Sequence, residues 1–192
     1  MGTTQPIKDT TELKRFKNYY ASICPNERNL LLVTTGLNTA LRIGDILTLR
    51  YEDIYNYSKH RLRTHITVHE HKTGKTNRIY MNDELRSALI DLADFESHSP
   101  SDWLFCSMKQ SELPLSRYQA FRIIRDAAVG ADLSVRVSPH SLRKTFGYHA
   151  WKQGANPVLL MNIYNHSSYQ VTKRYLCIDQ DEKDDIFRKT CL

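Results

Sequence analysis

His140, Arg143, His166 and Tyr175 fall within one stretch of a basic chain, and their side chains complement one another around a single chemical group. An arginine offers a planar fork that takes two oxygens of a phosphate together. In Pro139-His140-Ser141-Leu142-Arg143 the histidine stands three residues before the arginine, so both share one face of a helix. That histidine also sits in the helix's first turn, where unpaired backbone N–H groups and the dipole favour an anion. A phenol, with a pKa near 10, is a poor nucleophile unless cations lower that value or a base takes its proton. Together the four suit holding a phosphodiester by its oxygens while a phenolic oxygen attacks phosphorus. Taken singly, each has a plainer reading: a surface ion pair for His140 and Arg143, and a core residue for Tyr175, one of 11 tyrosines.

The elements that must position these residues are legible from period and punctuation. Ser138-Pro139 predicts a helix start, and the helix runs to Gln153 and stops at Gly154. Asn156-Pro157 opens a short helix through Ile163, and Ser167 or Ser168 caps a third that carries Tyr175. Upstream, Thr10–Cys24 reads as a helix broken by Pro25, after which Asn26 caps a second. Asn29–Leu41 carries a broad apolar stripe at helical spacing, and a short helix follows Arg42. Residues 62–81 change to strand period, with Lys72-Thr73-Gly74-Lys75 as the turn of a β-hairpin. Asp83 is expected to cap a helix to Phe95. Ser116 caps another through Val129, with Tyr118, Phe121, Ile124 and Ala128 inward. The fold class is α+β, mainly α-helical, with a small antiparallel hairpin or three-stranded sheet on one side. Residues 1–24 read as a lead-in helix, 25–177 as the catalytic unit and 178–192 as an acidic tail helix. The Met1-Gly2-Thr3 opening is read as an artificial start, so the chain is taken for a piece of a longer protein.

Composition narrows the class. Twenty-seven Lys and Arg against 21 Asp and Glu give a net charge of +6 over 192 residues. Residues 178–186 contain five acids and one lysine, so the positive charge is concentrated on the rest of the chain. That distribution fits a polyanion partner. The four cysteines, Cys24, Cys106, Cys177 and Cys191, show no CxxC spacing, which argues against a zinc ribbon and a disulfide scaffold and for reduced thiols in a cytoplasmic setting. No apolar run approaches the roughly 18 residues of a membrane span. His65, His69 and His71 alternate along a strand and could gather round a metal, but no cysteine joins them. They are assigned to a hairpin face toward that polyanion, with no metal site.

On these residues the chain resembles the tyrosine recombinase, or phage integrase, family from about Leu30 to Leu176. Thr35-Gly36-Leu37 and Ala40-Leu41-Arg42-Ile43-Gly44-Asp45-Ile46-Leu47 are similar to the family's first arginine box, with an acidic residue three after the arginine. His71-Lys72-Thr73-Gly74-Lys75 is similar to the hairpin that carries its lysine. Pro139-His140-Ser141-Leu142-Arg143 and Asn165-His166-Ser167-Ser168, with Tyr175 nine residues after His166, are similar to its second box. Tyr164-Asn165 stands where the family often has Leu-Gly. Asn tolerates the left-handed backbone that Gly allows, so the turn is expected to survive. The family's usual N-terminal DNA-binding domain has no counterpart in this chain.

The resemblance implies a site-specific DNA recombinase or integrase that breaks and rejoins strands by transesterification, without metal, ATP or other cofactor. Tyr175 would attack phosphorus to leave a 3′-phosphotyrosyl link, and Arg42 and Arg143 would hold the non-bridging oxygens. His140 would accept the phenolic proton or bond the phosphate, and His166 would add a hydrogen bond. Lys72 would protonate the leaving 5′-oxygen, and Asp45 would orient the surroundings of Arg42. Lys75, Arg117, Arg122, Arg125, Lys144, Lys173 and Arg174 are candidates for contacts to the backbone of double-stranded DNA. The acidic tail, 178–190, is expected to dock on a neighbouring protomer in a tetramer on paired sites. Two other readings stand beside this one: a type IB topoisomerase-like strand transferase, and an inert DNA-binding module.

Overall fold

Asp9 starts the first helix, α1 (Thr10–Asn18), its carboxylate accepting from the Glu12 N–H at 2.8 Å. The computed structural model describes residues 4–69, 74–107, 110 and 112–190. A π-helical turn, Tyr19–Ile23, carries the chain to Pro25, where Asn26 caps α2 (Glu27–Thr39) by accepting from the Asn29 N–H at 2.9 Å. Nearly every residue of α2 from Leu31 onward is buried, because it is the central helix, packed on α5 (Asp83–Leu92) and α7 (Pro139–Lys152). It ends with Ala40 in the left-handed region, φ 54°, which turns the chain sharply into Arg42 and the one-turn helix α3 (Ile43–Ile46).

After α4 (Tyr51–Ile54), two short antiparallel ladders follow. Strands β1 (Tyr55–Asn56) and β2 (Arg61–Leu62) pair with each other, as do β3 (His65–His69) and β4 (Thr76–Tyr80). In the second ladder Ile66 faces Ile79 and Val68 faces Asn77; Ile66 and Val68 are buried while Thr67 and His69 are exposed, the alternation of a half-buried strand. Among the described residues the two ladders do not join, so the sheet is a pair of hairpins and not three-stranded. Asn82, not Asp83, caps α5 by accepting from the Leu85 N–H at 3.0 Å, and the helix stops at Leu92, short of Phe95.

Helix α6 (Arg117–Gly130) begins at Ser116, which exchanges hydrogen bonds with Gln119 in a capping box. Its buried face is Ala120, Ile123, Ile124, Ala127 and Ala128; Tyr118, expected inward, is exposed. Ile124 and Ala128 are buried as expected and Phe121 is half-buried, while Ala120, Ile123 and Ala127 complete the inward face. Helix α7 then leads to α8 (Pro157–Tyr164), α9 (Tyr169–Leu176) and α10 (Asp179–Lys189).

Two apolar clusters support this arrangement. The larger includes Leu32, Ile54, Ile66, Leu85 and Ile124, each almost fully buried and each stabilising the fold by about 1.5–3 kcal/mol. The smaller gathers Ala40, Tyr148, Leu160, Tyr164, Leu176 and Ile178, with Tyr175 packed against it. Helix α7 gives Leu142 to the first and Tyr148 to the second, and so runs along their seam.

Candidate active site

The seam is where the reactive side chains meet. Arg143 leaves α7 toward the turn after α2, and its Nη1 donates to the Ala40 carbonyl. Its Nη2 lies 3.3 Å from the Tyr164 carbonyl and 3.5 Å from that of Ile163. The guanidinium also sits 4.6 Å from the centre of the Tyr164 ring, whose hydroxyl donates to the Arg143 carbonyl at 2.7 Å. Arg143 is only 4% exposed, and a buried cation is tolerable only when hydrogen-bonded this fully.

One face of Arg143 borders a cavity of about 420 Å³ lined by Arg42, Gly44, Asp45, Arg117, Pro139 and His140. Arg42 enters it from the N-cap of α3, and its carbonyl accepts from the Asp45 and Ile46 N–H groups at 2.9 and 3.0 Å. Asp45 is buried, and His140 stands exposed in the first turn of α7. Arg117 lies across Gly44 so closely that a Cβ there would come within 2.7 Å of its Nη2. The glycine therefore makes room for a third arginine at the same cavity.

Asn165 ends α8 with φ 57°, the left-handed turn expected of it, and so throws His166 back over Tyr164. The His166 ring stacks on Tyr164 with centroids 5.5 Å apart and meets Tyr175 edge-on at 5.2 Å. Its Nδ1 lies 3.0 Å from the hydroxyl of fully buried Thr172 on α9. Nε2, outside this contact, carries the ring proton when the Thr172 hydroxyl donates to Nδ1, and accepts when that hydroxyl donates instead to the Ser168 carbonyl 3.4 Å away. Burial lowers the pKa of His166 from its ordinary 6.5, and the charges of Arg143 and Arg42 lower it further. The ring is thus neutral at pH 7, and acidification must charge it inside the fold. Its contribution to stability is present above pH 6.5 and is lost as pH falls through the depressed value. Melting temperatures measured between pH 8 and pH 5 are expected to fall less steeply for His166→Gln than for the native chain; parallel curves would refute the assignment.

Tyr175, on the last turn of α9, closes the set. Its ring lies 5.4 Å from that of Tyr164, and Lys144 stands 5.2 Å from its centre on the side of α7. Burial raises the phenol above its ordinary value of 10.0, and the charge of Arg143, its hydrogen bond and the charge of Arg42 oppose that rise without cancelling it. The expected cation-driven lowering is therefore outweighed by desolvation, and the phenol needs a base. The close approach of α9 to α7 depends on Gly147, where a Cβ would fall 2.3 Å from Tyr164 Oη and 2.6 Å from Leu176 Cδ2.

The flanking basic residues divide. Lys75 reaches from the hairpin to the α8–α9 corner, donating to Asn165 Oδ1 at 2.6 Å and lining a cavity with Thr76 and His166. Lys72 lies outside the described residues, as does His71. Arg117, Arg122, Arg125 and Arg174 are exposed, although Arg125 is paired with Asp126 at 2.9 Å. Lys144 is not a surface contact: it is buried and donates to the Thr4 carbonyl at 2.7 Å. It occupies the inward stripe Ser141, Lys144, Thr145, Tyr148, a spacing that marks it as internal. Lys173 is likewise engaged, paired with Glu182 and, at 3.7 Å, with Asp179, because α10 folds its acids back onto α9. His65 and His69 are bonded on their own hairpin, to Thr64 and Thr76 at 2.9 Å each. Among the described residues no group of histidine, cysteine or acidic side chains is placed to hold a metal ion. No described helix is long and apolar enough to cross a membrane.

A mainly helical domain flanked by two small antiparallel ladders matches the catalytic-domain fold of the tyrosine recombinases. The phage integrase family profile matches residues 9–182, and the chain belongs to that family. It is 35% identical over 181 residues to the probable integrase/recombinase YoeC of Bacillus subtilis (strain 168), covering 94% of this chain and 93% of that protein. It is 28% identical over 165 residues to a tyrosine recombinase of Pseudothermotoga lettingae, spanning 85% of this chain but 54% of that protein. The crystal structure of XerA recombinase superposes with a TM-score of 0.76 at 23% identity, covering 97% of this chain and 66% of that one.

Proposed function

We propose that residues 25–177 form the catalytic unit of a site-specific DNA recombinase, with 1–24 as its lead-in and 178–192 as an assembly tail. The observation that carries this is the meeting of Arg42, Arg143, His166 and Tyr175, from distant parts of one chain, where both arginine charges act on the phenol and on the imidazole. Double-stranded DNA is the substrate, and the chain acts inside the cell. Arg42 and Arg143 take the non-bridging oxygens of the scissile phosphate and offset the charge that builds on them in the transition state. The Tyr175 oxygen bonds to phosphorus as the bond to the 5′-oxygen breaks. The phenolic proton passes to His140, which stands exposed at the cavity, and the departing 5′-oxygen takes one from Lys72. His166 donates from Nε2 to the phosphate, and Asp45 orients Arg42. Lys75, Arg117, Arg122 and Arg174 lie along the duplex backbone.

A duplex nicked beside the crossover point tests the reading, because the short leaving strand diffuses away and traps the intermediate. The expected product is a covalent protein–DNA adduct that retains a 3′-end fragment and frees a 5′-hydroxyl. A free 3′-hydroxyl with the protein on the 5′ side would overturn it.

For self-association, α10 leaves Ile186 and Phe187 exposed at 64% and 80%, while its acids Asp181, Asp185 and Glu182 pair with Lys8, Lys152 and Lys173. An amphipathic helix with its apolar pair uncovered fits a contact with a second copy on paired sites. Ile186→Ser with Phe187→Ser is expected to leave strand cleavage intact and to abolish paired-site complexes on native gels. Complexes of unchanged yield would exclude the tail as the contact.

A further inference from the structure

Lys8 belongs to the segment before α1, outside every motif so far assigned, yet it is tied to the end of the helix that carries Tyr175. Its Nζ donates to the Cys177 carbonyl at 2.8 Å and to Asp181 Oδ2 at 2.5 Å, and lies 5.1 Å from the centre of the Tyr148 ring. The strap that holds it is itself anchored. Ile7 is fully buried, its N–H donates to Thr145 Oγ1 at 2.9 Å, and its carbonyl lies 3.0 Å from His149 Nε2. All of these anchors except Asp181 and Cys177 stand on α7, the helix that also presents His140 and Arg143.

Cys177 is the left-handed residue, φ 59°, that ends α9, two positions beyond Tyr175. Carbonyls at a helix C-terminus carry partial negative charge, and a cation placed there stabilises that end. Helix α9 has only eight residues, too few to hold its own course, so its tilt is set by what grips its ends. Ser168 caps the start, and the Thr172–His166 contact lies near it. At the C-terminal end the buried Leu176 packs against α7, and Lys8 is the side chain that donates to the terminal carbonyl of Cys177.

We propose that Lys8 is a positioning residue for Tyr175: it fixes the end of α9 against α7, so that the phenol stays beside Arg143. The proposal rests on the reading of Tyr175 as the nucleophile. The pairing with Asp181 neutralises the ammonium, which separates this role from a phosphate contact.

The test is single-turnover cleavage of the nicked duplex by Lys8→Met, Lys8→Arg and Asp181→Asn, at a temperature where circular dichroism shows every variant fully folded. Lys8→Met is expected to lower the maximal rate about tenfold, since small misplacements of reacting groups are felt strongly, without changing the protein concentration that gives half-saturation. Lys8→Arg, which keeps the charge and the donors, is expected to cleave near the native rate, and Asp181→Asn to fall between. A raised half-saturation at unchanged maximal rate would make Lys8 a DNA contact and overturn the proposal. So would a Lys8→Met rate equal to native, or a Lys8→Arg rate as low as that of Lys8→Met. Absence of any adduct with the native chain would overturn the nucleophile reading, and this one with it; an adduct with the native chain and no effect of Lys8 removes this one alone.

Discussion

Tyr175→Phe is expected to abolish the covalent adduct on a nicked duplex while leaving DNA affinity and melting temperature close to native. The substitution removes one oxygen and keeps the ring that packs against Tyr164, His166 and Lys144. With no nucleophile, the fall in strand cleavage is on the order of 10⁴-fold or more, the scale seen when a covalent catalyst is deleted. Tyr164 is the nearest rival, but it cannot step in. Its phenol is buried at 1% exposure and already committed to the Arg143 carbonyl, and burial pushes its pKa well above the ordinary value. An adduct surviving in Tyr175→Phe, mapped by mass spectrometry to another peptide, would refute the assignment.

Arg143 should show two separable losses. Arg143→Ala strips the donor from the carbonyls of Ala40, Tyr164 and Ile163, and each buried acceptor left unpaired costs about 1–3 kcal/mol. A lower melting temperature is therefore expected together with lost cleavage. Arg143→Lys keeps the charge but not the planar fork, and it separates the two effects. Its cleavage is expected to drop about 10²–10³-fold, the worth of one transition-state donor, with a smaller change in melting temperature. Single-turnover rates and thermal melts on the same preparations decide the matter. Native-rate cleavage by Arg143→Lys would show that bidentate contact is not used.

Much of this architecture is written in short-range chemistry. The caps at Asn26, Ser116 and Ser168 are where side-chain acceptors meet helix N–H groups, and Asn165 takes the left-handed turn because its side chain tolerates it. The order of Arg42, Arg143, His166 and Tyr175 is visible in the chain, and so is the step between the last two. What stays hidden is set by tertiary contact. Nothing local distinguishes Asn82 from Asp83 as a cap, since both are good ones and the strand end decides. Lys144 and Lys173 look like solvated cations until the N-terminal strap and α10 fold over them. The net rise of the Tyr175 pKa follows from burial among aromatic rings, which no motif records. Lys8 escapes notice because its partners lie about 170 residues away.

Gly147 lets α7 press against the Tyr164 hydroxyl and the Leu176 side chain with nothing between. The spacing of the two helices is thus governed by main chain and not by an interposed methyl, which would have to wedge them apart. Since Arg143 stands one turn before this point and Tyr175 one residue before Leu176, this contact bears on the gap between guanidinium and phenol together with the grip of Lys8 on the end of α9. A residue with no reactive side chain therefore helps set how near the Tyr175 phenol can come to the Arg143 guanidinium.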